Sequence, residues 1–333
     1  MFKKKSLRIN SYIGYGTSTK FYARGRALED ENISFDPNLS TFRTVMNIYK
    51  QFESDEIPKV NIKAELPNGQ VLEQLTDEEG YYCFSATSSG LDKKTDKEGW
   101  LPFSVSYADP AKKDKISDEN RFKGEMLIPS ESAEFAIISD IDDTILHTGV
   151  TSIFKWRVII NTLLKNFDKR IPIEGTASFY TKLHFGKNNL PVNPIFYVSN
   201  SPWNLFDYLT AFLKKNLFPK GPILLRDFRT PFDKTPKPKM PHKKAEIINL
   251  LNMYPHLNFI LIGDSGEKDA NIYTKIAKEF PNRILAIYVR DVMHSRKSKR
   301  IQKMIEHFKE CPMLLVKTSE QAVAHARALG FII

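Results

Sequence analysis

The spacing of apolar residues changes near residue 130, and this change constrains the fold more than any other feature of the chain. Up to that point apolar side chains alternate in short runs: Lys20 to Ala23, Val60 to Ala64, Tyr81 to Phe84 and Phe103 to Tyr107. Turn chemistry such as LPNGQ and TDEEGYYCF separates the runs. Alternation at period two puts every second side chain on one sheet face, so residues 1–130 are expected to form a β-sandwich domain with one helix around Thr41 to Phe52. Gly80 closes TDEEG and suits a turn position with positive φ; beyond it Tyr82 and Phe84 fall on one face. The polar stretch ADPAKKDKISDEN (108–120) reads as a loop near the domain's end.

From about residue 134 apolar strands are followed by helical segments, the pattern of βα units around a mostly parallel sheet, so residues 131–333 are expected to be an α/β domain. The strands are expected at Phe135 to Ser139, Ile195 to Ser199, Phe259 to Gly263, Ile284 to Val289 and Met313 to Val316. After YVSNSPW a helix is expected with Ser201 as N-cap, Pro202 at its first position, and Leu205, Leu209, Phe212 and Leu213 on one face. Thr151 to Asn189 is longer than one crossover helix needs and carries a helical pattern through Trp156, Ile159, Leu163, Leu164 and Phe167. It reads as a small helical insertion over the active face, where Phe154, Trp156 and Phe167 offer an apolar surface.

Composition narrows the functional class only a little. With 49 Lys and Arg against 39 Asp and Glu, the formal charge is +10, which favours anionic partners without choosing among nucleic acid, lipid and phosphorylated ligands. The two cysteines, Cys83 and Cys311, are far apart and lack CxxC or Cys/His spacing, so no disulfide framework or zinc site is expected. The start, MFKKKSLRINSYIGYG, has basic residues but no apolar signal-peptide core, and no later run reaches about 18 apolar residues. A cytoplasmic protein with at most peripheral membrane contact is the expectation. GYGTSTK lacks the GK[ST] ending and the strand-to-helix context of a phosphate-binding P-loop.

The chemistry concentrates at three expected strand ends: Asp140 and Asp142 in SDIDDTILHTG, Ser199 and Asn200 in YVSNSP, and Asp264 and Asp269 in LIGDSGEKD. In an open parallel sheet, ligands bind beyond the carboxyl ends of the strands, where these residues would converge. Clustered carboxylates repel one another, and a hard, oxygen-preferring cation such as Mg²⁺ relieves that repulsion. Such an ion also neutralises a phosphate, so that one carboxylate can attack phosphorus and a second, two residues on, can shuttle the proton. Lys234, Lys237, Lys239, Lys243 and Lys244, interleaved with prolines, form a basic stretch beside the site, read either as a solvated loop or as a surface for anionic headgroups. The run Arg296, Lys297, Lys299, Arg300 and Lys303 reads as an exposed helix face.

DIDDT resembles the DxDxT motif of the haloacid-dehalogenase-like phosphatases; FYVSN, PHKKAEI and FILIGDSGEKD resemble the second, third and fourth motifs. The wording YVSNSPWNL, HKKAEI, LIGDSGEKDANIY and AIYVRDV is similar to one branch, the phosphatidate phosphatase family of the yeast actin-patch protein type, over roughly residues 134 to 330. That resemblance implies a Rossmann-like parallel sheet of the haloacid-dehalogenase type. It implies Asp140 as a nucleophile forming an aspartyl-phosphate, and Asp142 as general acid and base with its carbonyl reaching Mg²⁺. Thr144 would hold the turn, Ser199 and the amide of Asn200 would bind phosphoryl oxygens, and Lys243 would bridge phosphate and nucleophile, with Lys244 as the alternative lysine. Asp264 would complete the metal site, and Asp269 would be a ligand or a partner that orients one. Phosphatidate or a related lipid phosphate is the implied substrate. Two alternatives remain open: a phosphatase of soluble monoesters, and a vestigial module that binds anionic surfaces.

Overall fold

The computed structural model describes residues 6–31, 55–109, 118–141, 175–227, 240–265, 268–292 and 295–333, with the single positions 33, 43, 46, 47, 50, 51 and 116. Its chain divides into two compact units, Met1–Leu39 with Met46–Ser130, and Ser40–Val45 with Glu131–Ile333.

The first unit is β-rich. Its strands are β1 (Leu7–Ser11), β2 (Gly14–Gly16), β3 (Lys20–Glu29), β4 (Asn61–Glu65), β5 (Val71–Leu75), β6 (Tyr81–Thr87), β7 (Trp100–Tyr107) and β8 (Phe122–Leu127). They join in one hydrogen-bonded sheet of order β1-β3-β2-β8-β7-β4-β5, with β6 on the other side of β3. All pairings are antiparallel except β2 with β8. Alternation accounts for the core, since Phe21 and Ala23, Ile62 and Ala64, Tyr82 and Phe84, and Phe103 and Val105 all turn inward. Tyr82 and Phe84 lie with ring centroids 5.2 Å apart.

Two turns share one chemistry. Asp77 Oδ1 accepts the backbone N–H groups of Glu79 and Tyr81, with Gly80 at φ 77°. Asp96 Oδ1 accepts those of Glu98 and Trp100, with Gly99 at φ 87°. In each, an Asx turn sets the bend and glycine takes the left-handed residue that an L side chain resists. Of the helix expected around Thr41 to Phe52, positions 43, 46, 47, 50 and 51 are described, and all are helical.

The second unit is built on a parallel sheet. Its strands are β9 (Ala136–Asp140), β10 (Ile195–Pro202), β11 (Ile223–Arg226), β12 (Phe259–Asp264), β13 (Ile284–Arg290) and β14 (Met313–Val316), in the order β11-β10-β9-β12-β13-β14. Every pairing is parallel. Its helices are α1 (Thr176–Phe185), α2 (Phe206–Lys215), α3 (His242–Met253), α4 (Asp269–Glu279), α5 (Ser295–His307) and α6 (Ser319–Ala328). The strands read as continuous apolar runs because both sheet faces are covered, and β9 and β12 are buried along their whole length. Strand order reverses at β9, whose neighbours β10 and β12 lead the chain in opposite directions. A crevice opens at such a switch point.

Two expectations change. Ser201 does not cap a helix: β10 continues through Pro202, a 3-10 turn covers Trp203–Leu205, and α2 begins at Phe206. Pro202, at φ −77° and ψ 157°, shows why. Its fixed φ suits extended backbone as well as a first helical turn, and Ser199 Oγ takes the Ser201 N–H at 2.9 Å, tying that segment to the strand end. The expected apolar face survives, with Leu205, Leu209, Phe212 and Leu213 all buried. The short strand β11, in GPILLR, has no counterpart in the sequence reading. Of the expected insertion, Phe154, Trp156, Ile159, Leu163, Leu164 and Phe167 lie outside the described residues, while α1 buries Phe179, Tyr180 and Leu183.

Candidate active site

Parallel pairing aligns the chemistry. In register, Ser139 faces Tyr197 of β10 and Ile262 of β12, and Asp140 faces Val198. Asp140 and Asp264 therefore end neighbouring strands, and Ser199 follows Val198 at the same edge. Asp140, Ser199 and Asp264 are all buried. Asn200 is half-buried.

Helices complete the cluster from below. Asp269 lies in the first turn of α4 and is fully buried; its Oδ2 is 3.4 Å from the backbone N of Asp264. Lys243 lies in the first turn of α3, where His242 is the first residue. Its ammonium sits 2.9 Å from Asp140 Oδ1 and 2.9 Å from Asp269 Oδ1, so one buried cation bridges two buried carboxylates. Lys244, one residue further round the helix, pairs instead with Glu279 at 2.5 Å. The choice between the two lysines is thereby made by geometry. Lys243 lies in one stripe with Ile247, Leu250 and Leu251, all buried, so the helix face that packs inward carries it to the site.

Asp140, Asp264 and Asp269 each offer a carboxylate oxygen within 4.8 Å of the others. Burial pushes the Asp269 carboxyl up to about 7; the Asp140 charge adds to the rise, and the Lys243 ammonium opposes it. Ionising all three carboxylates beside one ammonium would leave excess negative charge in a desolvated place, which a second cation would offset. All donors are hard oxygens with no sulfur or imidazole, the set that Mg²⁺ takes and soft-ligand metals do not. The residues present fit a Mg²⁺ ion.

Four residues support the site in ways the sequence reading does not announce. Ser139 Oγ donates to the Asp140 carbonyl at 2.9 Å and lies 2.6 Å from Tyr180 OH. The serine has one proton, so the phenol must donate to the serine, and burial holds that phenol neutral. Tyr273, fully buried in α4, donates to the Ile262 carbonyl at 3.1 Å, next to the strand end. Gly263 leaves the space that Asp269 fills. Glycine inside a strand is a sign of close approach, and that sign was present in LIGDSG.

Asp142 and Thr144 lie outside the described residues, as do Lys234, Lys237 and Lys239.

Residues 135–291 match the family described as phosphatidate phosphatase APP1, catalytic domain. That segment, just under half of the chain, is similar to the catalytic domain of that family. It contains Asp140, Ser199, Lys243, Asp264 and Asp269, the same side chains that the sheet and helices gather. Among curated proteins, phosphatidate phosphatase APP1 of Saccharomyces cerevisiae is 41% identical over 159 residues, 46% of this chain and 25% of that protein. An uncharacterised protein of Schizosaccharomyces pombe is 35% identical over 159 residues, 47% of this chain and 25% of that protein. The chain thus matches about a quarter of the length of the curated relatives. Among solved structures, a ferredoxin-NADP⁺ reductase from Plasmodium falciparum aligns over 85% of this chain and 95% of that one, at a TM-score of 0.20 and 11% identity, too low to bear on fold or function. Among the described residues, no helix is long and apolar enough to cross a membrane.

Proposed function

We propose that the second unit is a Mg²⁺-dependent phosphatase of the haloacid-dehalogenase type, acting on phosphatidate or a related lipid phosphate and forming diacylglycerol or its equivalent. The observation that carries this reading is the Lys243 ammonium held between the buried carboxylates of Asp140 and Asp269, with Asp264 beside them at the carboxyl edge of a parallel sheet. The first unit is taken as a sandwich-like accessory domain.

In the proposed reaction, a carboxylate oxygen of Asp140 attacks phosphorus and the ester P–O bond breaks. Asp142 delivers its proton to the departing alkoxide oxygen. Water then attacks the aspartyl-phosphate, Asp142 takes the proton back, and inorganic phosphate leaves with Asp140 regenerated. Ser199 Oγ and the amide of Asn200 hold phosphoryl oxygens, and Thr144 fixes the turn after the nucleophile. Lys243 keeps Asp140 ionised and oriented and balances charge on the transferring group. Asp140, Asp264, Asp269 and the carbonyl of Asp142 would hold Mg²⁺, which supplies Lewis-acid neutralisation of the phosphate.

The test is phosphate release from phosphatidate in mixed micelles and from water-soluble monoesters, with Mg²⁺ or with chelator, for the full chain and for Asp140→Asn. Expected is Mg²⁺-dependent release favouring phosphatidate and abolished in the variant. A wild-type rate in Asp140→Asn overturns the nucleophile assignment. Faster release from soluble esters overturns the lipid assignment, and activity that resists chelator overturns the metal.

A further inference from the structure

Helix α5 presents a basic stripe that the proposed reaction does not use. Arg296, Lys299, Arg300 and Lys303 are spaced i, i+3, i+4, i+7, which places them on one side of a helix, and all four are exposed. The other side packs inward: Ile301 is fully buried, Ser298, Met304 and Ile305 are half-buried, and Thr274 Oγ1 of α4 meets Met304 Sδ at 4.0 Å. None of the ion pairs among the described residues uses the four stripe cations. Within α5 the only acidic residue is Glu306, in its last turn. Four charges on one helix face, in no ion pair among the described residues, form a surface complementary to a dense anionic plane.

The stripe is also tied to the active site. Arg290, at the end of β13, is the register partner of Asp264. Ser265, directly after that aspartate, donates its N–H to the Arg290 carbonyl at 2.8 Å and accepts the Val292 N–H on Oγ at 3.1 Å. Asp291 Oδ1 accepts the Ser298 hydroxyl at 2.6 Å, in the first turn of α5. Because α5 follows the carboxyl end of β13, its first turns start from the sheet edge where Asp140 and Asp264 meet. A short chain of hydrogen bonds thus links the carboxylate cluster to the helix that carries the stripe.

We propose that Arg296, Lys299, Arg300 and Lys303 of α5 dock the protein on an anionic lipid bilayer, holding the mouth of the site at the headgroup layer from which a phosphomonoester lipid is drawn. This deepens the lipid-phosphate reading and rests on it. A bilayer is favoured over nucleic acid because the stripe is one straight helix face at the edge of a site proposed to take a membrane-borne substrate.

The experiment is co-sedimentation of the full chain with phosphatidylcholine vesicles and with vesicles containing one-fifth phosphatidylserine, which the site does not hydrolyse. The variants are R296Q/K299Q/R300Q/K303Q and, as a control, Lys93→Gln with Lys94→Gln in the first unit. Each basic residue near an anionic surface is worth about fivefold in partitioning, so the quadruple variant is expected to lose several hundredfold, by order of magnitude. Binding should weaken at 0.5 M salt, while the Lys93/Lys94 control should bind as wild type. Release of phosphate from p-nitrophenyl phosphate by the quadruple variant should match wild type, which shows that it is folded and separates docking from chemistry. Anionic-vesicle binding unchanged in the quadruple variant, or equal wild-type binding to neutral and anionic vesicles, overturns the proposal. Stripe-dependent retention of duplex DNA without vesicle binding overturns it in favour of nucleic acid. If no ester is hydrolysed, a thermal melt stands in as the folding check, and vesicle binding still decides the docking surface independently of the proposed reaction.

Discussion

A Cβ on Gly263 would lie 2.6 Å from Oδ2 of Asp269, so this carboxylate occupies its place only because residue 263 has no side chain. The same Cβ would stand 2.9 Å from Tyr273 Cε2, on the turn of α4 above Asp269. Asp269 and Tyr273 are both fully buried, and neither can swing into solvent to make room. Gly263→Ala is therefore expected to displace α4 or turn the Asp269 carboxylate. Overpacking of this kind costs about 1–3 kcal/mol, and Mg²⁺-dependent phosphate release should fall together with the melting temperature. An alanine variant with the stability and Mg²⁺ response of wild type would show that the cluster does not need this close approach.

Adjacent lysines on α3 should behave oppositely. Lys243→Met removes the ammonium between Asp140 and Asp269 and leaves buried charge uncompensated, a loss of about 3–5 kcal/mol in denaturant unfolding, together with turnover. Lys244→Gln removes only the pair with the half-exposed Glu279, worth no more than about 1 kcal/mol, and should leave turnover intact. Equal effects from the two substitutions would contradict the placement of Lys243.

Divalent-ion binding can be read without any substrate. An ion that binds only the folded state raises stability by about 2.7 kcal/mol at a hundred times its dissociation constant. Mg²⁺ should raise the melting temperature of the full chain, and Asp264→Asn should lose most of that increment. A melting temperature that ignores Mg²⁺ up to 10 mM, roughly the upper end of ordinary assay conditions, would count against the Asp140, Asp264 and Asp269 donor set.

The two thiols should separate in reactivity. Cys83 is exposed. Burial, with Glu310 adding, pushes the Cys311 thiol up to about 12. At pH 8 its thiolate fraction would be about 10⁻⁴, on the order of a thousandfold below that of a thiol at the reference value near 8.5. A thiol reagent at pH 8 should label one cysteine quickly and the other slowly, Cys83→Ser should remove the fast phase, and the slow phase should speed up about tenfold per pH unit. Fast labelling of both thiols in the folded protein would show that Cys311 is not shielded.

Much of the architecture was legible because it rests on local periodicity. Continuous apolar runs announced β9, β10, β12, β13 and β14, since strands covered on both faces have no polar side to show. Alternation announced β3, β4, β6 and β7. The short strands gave too few residues for a period: β2 has three, and β11 has four, directly after Gly221 and Pro222. The Ser201 cap was misread because serine followed by proline suits the start of a helix and a strand end alike.

What the sequence determined by itself was which chemical groups would stand at strand ends, because strand length, apolar pattern and the order of Asp140, Ser199 and Asp264 are properties of short stretches of chain. The lysine register could also have been read, since Ile247, Leu250 and Leu251 extend back by one turn to Lys243 and not to Lys244. Only tertiary structure decided that Lys243 lies between Asp140 and Asp269, that Gly263 makes room for Asp269, and that Tyr180 braces Ser139. These contacts join residues from 6 to 103 positions apart. Their distances follow from how helices seat on the sheet, and local patterning carries no record of that seating.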